Sequence, residues 1–122
     1  MQSRPEKCLF CRLVADGDHV HSGDGFVAIR DINPISETHL LVLPERHVDT
    51  FKDVGAFPDD EAARMLRFVA ETAEVAGLEG YRVLVNVGET GGQTVFHLHW
   101  HVLGGRPDAE RVVQALQVGA RG

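Results

Sequence analysis

The segment His97-Leu98-His99-Trp100-His101-Val102 alternates an imidazole with a large apolar side chain over six positions. A β-strand turns successive side chains to opposite faces, so this period places His97, His99 and His101 on one face and Leu98, Trp100 and Val102 on the other. At a rise of ~3.3 Å per residue, neighbouring imidazoles stand about 6.5 to 7 Å apart along the strand. The apolar face anchors the segment in a core, and the other presents three imidazoles in a row. The strand is expected over Val95 to Leu103.

Three readings follow. The histidines can decorate the surface of an edge strand. They can ligate zinc as a three-histidine site, although His97 and His101 lie about 13 Å apart at full extension, which is far for one ion. They can also supply a nucleophile. Imidazole has an ordinary pKa near 6.5, so a neutral ring is available at pH 7 to attack phosphorus and split a hard hydrolysis into two steps. The last reading needs an acceptor for the other ring nitrogen, donors for phosphate oxygens, and protonation of the leaving group. The flanking residues offer those parts. Gly91 and Gly92 allow backbone amides to approach an anion, Gln93 and Thr94 carry side-chain donors, and Asn86 is polar within the apolar stretch Val85 to Val87. Taken alone, Gly91-Gly92 also fits an ordinary turn.

The rest of the 122-residue chain is expected to form a single domain spanning residues 1–122. Its net charge of −6 argues against a nucleic-acid polymer as partner, while leaving room for a small anion held by local donors. No stretch approaches the roughly 20 apolar residues of a membrane span, and the first residues lead into no apolar signal region, so a cytoplasmic location is expected. Short helices are expected at Cys8–Ala15 and Asp108–Leu116. Strands are expected at His19–Ser22, Phe26–Arg30, His39–Leu43 and Arg82–Val87, with Gly23-Asp24-Gly25 as a hairpin turn. Ala62, Met65, Leu66, Val69, Ala73 and Ala76 share one helical face and mark a longer helix over Glu61–Ala76, capped by Asp59 or Asp60. Hairpins plus one helical crossover predict an α+β fold with an antiparallel sheet of about five strands.

The motif His97-Leu98-His99-Trp100-His101-Val102-Leu103 resembles that of the histidine triad (HIT) family. The preceding Gly-Gly-Gln-Thr-Val-Phe, Asp31-Ile32-Asn33-Pro34, Thr38 to Pro44 and Gly80 to Asn86 resemble its Hint nucleotide-binding branch, and the likeness runs from about Cys8 to Arg106. The resemblance implies a homodimer whose sheets join, no organic cofactor, and hydrolysis of purine nucleoside 5′-phosphoramidates through a nucleotidyl-histidine at His99. Cleavage of dinucleoside polyphosphates and non-catalytic nucleotide binding are the alternatives. His101 and Thr94 would contact the α-phosphate and assist the leaving group, with His39 behind them in a relay. Asn86 and the amides near Gly92, Gln93 and Thr94 would hold phosphate, and Asp31 would accept the ribose hydroxyls. Leu9, Phe10, Leu13, Ile29 and Ile32 would form the slot for the base, although each alone also fits core packing. The tail Pro107 to Gly122 departs from the animal members, which end in Trp-Pro-Pro-Gly.

Cys8 and Cys11, two residues apart, make half of a tetrahedral zinc site. A redox pair and two reduced core thiols are the competing readings. Many bacterial members of the resembling family carry this Cys-x-x-Cys, which implies His47 and His97 as the remaining ligands of a structural zinc. His19 and His21 are read as surface residues.

Overall fold

A computed structural model describes residues 8–107. The expected helix at Asp108–Leu116 and the tail lie outside the described residues.

The first helix, α1 (Leu9–Asp16), begins where Cys8 acts as N-cap, its Sγ accepting the Cys11 N–H at 3.4 Å. Strands β1 (His21–Gly23) and β2 (Phe26–Arg30) pair across a two-residue turn, Asp24-Gly25, with φ of 57° and 89°. Positive φ at both positions is the geometry that matches the right-handed twist of a hairpin, and it explains the Asp-Gly pair. His21, expected on the surface, stacks on Phe68 with centroids 4.7 Å apart.

Strand β3 (Ser36–Pro44) starts earlier than expected because its polar beginning is paired with the far end of the last strand, β5 (Trp100–Pro107). A 3₁₀ turn at Phe51–Ala56, absent from the sequence reading, starts with a capping box between Thr50 and Asp53. Helix α2 (Asp59–Val75) follows. Its N-cap is Pro58, and Asp59 and Asp60, expected as caps, lie inside the first turn beside Glu61. Three carboxylates there favour the positive end of the helix dipole. Strand β4 (Tyr81–Leu84) is shorter than expected and forms an edge.

All pairings are antiparallel, in the order β1-β2-β3-β5-β4, giving an α+β fold with a five-stranded sheet. Alternation assigns the two faces. Phe26, Ala28, Leu40, Val42, Leu98 and Val102 pack against Met65, Phe68, Val69 and Ala73 of α2. Val27, Ile29, Leu41 and Leu43 point the other way, to Cys8 and Phe10. Among the described residues, no helix is long and apolar enough to cross a membrane.

The segment expected as one strand from Val95 is regular only from Trp100. Continuing the β3–β5 ladder past Val42↔Trp100 leads to Pro44, which has no N–H to donate. The chain bends instead, and the Leu98 N–H goes to the Val48 carbonyl at 2.6 Å. Alternation of faces survives the bend, since Leu98 and Val102 remain in the α2 core.

Candidate active site and metal centre

The bend separates the three imidazoles into two groups. His97 leaves the row and joins Cys8, Cys11 and His47, where one ligand atom of each lies within 4.8 Å of all the others. His97 Nδ1 stands 3.5 Å from Cys8 Sγ and 3.4 Å from Cys11 Sγ, and His47 Nδ1 stands 3.2 Å from Cys11 Sγ. With Zn–S of about 2.3 Å and Zn–N of about 2.0–2.1 Å, the S···N edges of a tetrahedral site come to about 3.5 Å. The observed spacing therefore suits a tetrahedral ion.

The outer ring nitrogens fit as well. His97 Nε2 donates to the Pro44 carbonyl at 2.8 Å, and His47 Nε2 donates to Asp49 Oδ1 at 2.7 Å. Each ring thus carries its proton on Nε2 and turns a lone pair on Nδ1 toward the sulfurs, the arrangement that orients metal-bound histidines. Burial pushes His97 down to about 4, so its ring is neutral at pH 7. Burial, a hydrogen bond to Cys8 and the Cys8 charge push the Cys11 thiol up to about 11. A bound dication reverses that preference and favours thiolates. Asp49 carries no motif; only the fold brings its role out. A zinc ion held by the three triad histidines does not fit, because the His97 ring belongs to this other cluster.

The loop carrying His47 is pinned to α2. Arg46 Nε and Nη2 each donate to Glu61 at 2.9 Å, and the guanidinium lies 4.6 Å from the Phe57 ring centroid. The hydrogen bonds from Arg46 hold the Glu61 carboxyl below its ordinary range. A lowered folded pKa means that this stabilisation is present above the unfolded carboxyl pKa and fades as pH falls through the folded value. Arg46 is half exposed, so Glu61→Gln is expected to cost only about 0.5–1 kcal/mol in chemical denaturation at pH 7, and less near pH 3.

The second group is His39, His99 and His101, all buried. The His39 Nδ1 accepts the Ile35 N–H at 3.2 Å, so its proton sits on Nε2. That nitrogen lies 2.8 Å from His101 Nδ1 and 3.3 Å from Asp31 Oδ2. His101 accepts at Nδ1 and thereby carries its own proton on Nε2. A 2.8 Å contact between nitrogens is shorter than a tetrahedral zinc edge, so this trio forms a hydrogen-bonded relay and not a ligand set. His99 is oriented differently. Its Nδ1–H donates to the His97 carbonyl at 2.7 Å, which leaves the lone pair on Nε2. Phe10 packs edge-on against the His99 ring at 4.9 Å, and the His99 and His101 centroids are 5.2 Å apart.

These rings sit in a cleft of about 360 Å³ between α1 and the end of β2. Leu9, Phe10, Leu13, Ile29 and Ile32 line its apolar part, and Asp31, Thr94, His99 and His101 its polar part. Leu41, Val95, Arg30 and Asn33 also line it, and the sequence reading had not singled them out. Asp31 is tied into the turn by the Asn33 N–H on Oδ1 at 2.8 Å.

The loop before the triad differs from expectation. Gln93 is buried, and its Nε2 donates to the Asp49 and Val95 carbonyls at 2.7 and 3.0 Å. Its own N–H goes to Gly88, and the Gly92 N–H goes to Glu89, so neither amide is aimed at a cleft anion. Asn86 Nδ2 donates to the Gly91 carbonyl at 2.9 Å. A Cβ on Gly91 would stand 2.2 Å from the Val87 carbonyl, so this glycine is dictated by a tight loop. Gln93, Gly92 and Asn86 shape the loop that presents Thr94; none of them lines the cleft.

Comparison with known proteins agrees with this geometry. The HIT domain family matches residues 12–108. The chain is a member of the HIT family. Among the relatives of this HIT protein is the purine nucleoside phosphoramidase of Escherichia coli K12, 37% identical over 84% of this chain and 90% of the relative. A HIT family hydrolase from Legionella pneumophila Philadelphia 1 superposes with a TM-score of 0.71 at 38% identity, covering 82% of this chain and 94% of that one. A zinc-bound histidine triad family protein from Mycobacterium smegmatis does so with a TM-score of 0.68 at 27% identity, covering 95% and 94%.

Proposed function

We propose that this HIT protein hydrolyses purine nucleoside 5′-phosphoramidates, with His99 Nε2 as nucleophile. The observation that carries the reading is the pair of complementary tautomers in one cleft: His99 offers a lone pair at Nε2, and His101, backed by His39, offers an N–H. His99 Nε2 bonds to the α-phosphorus and the P–N bond breaks. The departing nitrogen, protonated from solvent at the His101 edge, leaves as a neutral amine. Water then attacks the same phosphorus, the P–Nε2 bond breaks, a proton returns to solvent, and a nucleoside monophosphate is released. His101 and Thr94 hold the phosphoryl oxygens. Asp31 takes the ribose hydroxyls. Ile32, 90% exposed at the rim, and the apolar slot behind it cover the base. The name of the E. coli relative supports the purine and the P–N bond.

Cys8, Cys11, His47 and His97 would hold zinc, which would tie α1 to the loop after β3 and to the triad segment as a structural ion. Reduced cysteines suit the cytoplasm, which is the proposed location. A second copy pairs along β4, whose Tyr81, Arg82 and Val83 are exposed on an edge strand. Sedimentation should show a dimer for the parent chain and a monomer for Val83→Lys; a parent monomer rules the pairing out.

Rapid quench into alkaline denaturant during turnover of an adenosine 5′-phosphoramidate, followed by intact-mass and peptide mapping under conditions that spare the acid-labile P–N bond, should find AMP on His99. An adduct on another residue, or none under single turnover, overturns the mechanism. The same quench with a dinucleoside polyphosphate separates that alternative substrate class.

A further inference from the structure

His97 belongs to both sites. Its ring stands among Cys8, Cys11 and His47, and its backbone carbonyl accepts the Nδ1–H of His99 at 2.7 Å. The ring is held on two sides, by the sulfurs at 3.4 and 3.5 Å and by the Pro44 carbonyl at 2.8 Å. A second connection runs through α1. Cys8 caps that helix, and Phe10, two residues on within its first turn, packs on His99 at 4.9 Å and on His97 at 6.3 Å. The bend at Val95 to His97 allows this: it carries the ring of His97 to the cysteines while its carbonyl faces the next imidazole in the row.

We infer that the Cys8–Cys11–His47–His97 centre positions the nucleophile, with His97 as the positioning residue that transmits metal occupancy to the orientation of the His99 ring. The inference rests on the reading of His99 as nucleophile. Loading the centre locks the His97 backbone and the start of α1, and so keeps His99 Nε2 aimed into the cleft. Losing the ion frees the carbonyl that fixes the His99 tautomer and loosens the Phe10 wall. Leu9 and Phe10 of the slot share the start of α1 with the cysteines, whereas Ile29 and Ile32 lie on β2 and its following turn and Asp31 is tied to the Asn33 N–H, so the ribose contact and one wall of the slot stand apart from the centre. The chemical step therefore follows the metal more steeply than nucleotide affinity does.

The test compares zinc-loaded and chelator-stripped full-length protein, both shown folded by circular dichroism, in two measurements: AMP affinity by calorimetry and the single-turnover rate of adduct formation. Misplacement of a reacting group by ~1 Å costs up to about a hundredfold in rate. Stripping is expected to slow adduct formation by at least about tenfold with AMP affinity changed less than about twofold, and zinc to restore the rate. A stripped, folded protein that forms the adduct at the loaded rate overturns the coupling. Should stripping unfold the chain, Asp49→Asn loosens the support of His47 without touching the cleft, and metal titration of that variant should show the adduct rate tracking occupancy; a rate independent of occupancy overturns it equally. Cobalt(II)-loaded protein gives a readout apart from turnover: its visible bands should differ between the parent and His99→Ala, which removes the ring bonded to the His97 carbonyl, and identical bands count against the coupling. His99→Ala run alongside separates the two ideas. If His99→Ala still forms the adduct, the nucleophile reading has failed. If it forms none while stripped wild type keeps the full rate, only the coupling has failed.

Discussion

Replacing His99 by alanine is expected to lower kcat for an adenosine 5′-phosphoramidate by at least about 10⁴-fold, with AMP affinity changed by no more than a few-fold. The asymmetry follows from the geometry. Truncation removes the ring nitrogen proposed as nucleophile, yet Leu13, Ile29, Ile32 and Asp31 remain as the lining of the cleft. The residual rate would be what His101, Thr94 and binding supply to direct attack by water. Steady-state turnover of a fluorogenic phosphoramidate measures the first quantity and calorimetry the second. A variant that retains wild-type turnover would eliminate covalent catalysis at this residue.

Removing the metal from the wild-type chain is expected to lower the melting temperature by about 15 °C or more. An ion present at about 1,000 times its dissociation constant stabilises the folded state by about 4 kcal/mol. In a domain of roughly 100 residues, each kcal/mol shifts the transition by about 4 °C or more. Cys8→Ala should melt near the stripped temperature and respond no further to chelator, because one vertex of the tetrahedron is gone and α1 has lost its cap. Elemental analysis of the parent should find one zinc per chain. If the parent is isolated without metal and added zinc leaves its melting curve unchanged, Cys8 and Cys11 are reduced core thiols and the spacing of the cluster has another origin.

The two predictions draw on residues that differ in how readable they were. His99, His101 and Cys8-x-x-Cys11 stand in short motifs whose spacing alone restricts the chemistry. The five apolar residues of the slot were nameable only through likeness to the HIT family, since each is an ordinary core residue when taken singly. Gln93 misled for a physical reason. An amide beside a glycine pair and a triad reads as a donor for phosphate, but it is buried, and a buried amide must spend its hydrogens on nearby carbonyls, here those of Asp49 and Val95. Asp49 itself is silent in the sequence, because a carboxylate two residues after a histidine is common on any surface loop.

The chain by itself determined which side chains share a face. That is a property of extended backbone, where alternation persists through a bend and keeps Leu98 and Val102 in the α2 core. It also determined the hairpin, because only residues tolerant of positive φ close a two-residue turn there. Tertiary structure alone decided what each imidazole of the triad touches. Pro44 cannot extend the ladder, so the segment bends and one ring of the row goes to cysteines 86 and 89 residues away in sequence. Contacts over such distances depend on where the ends of closed loops come to rest, and no local spacing encodes that.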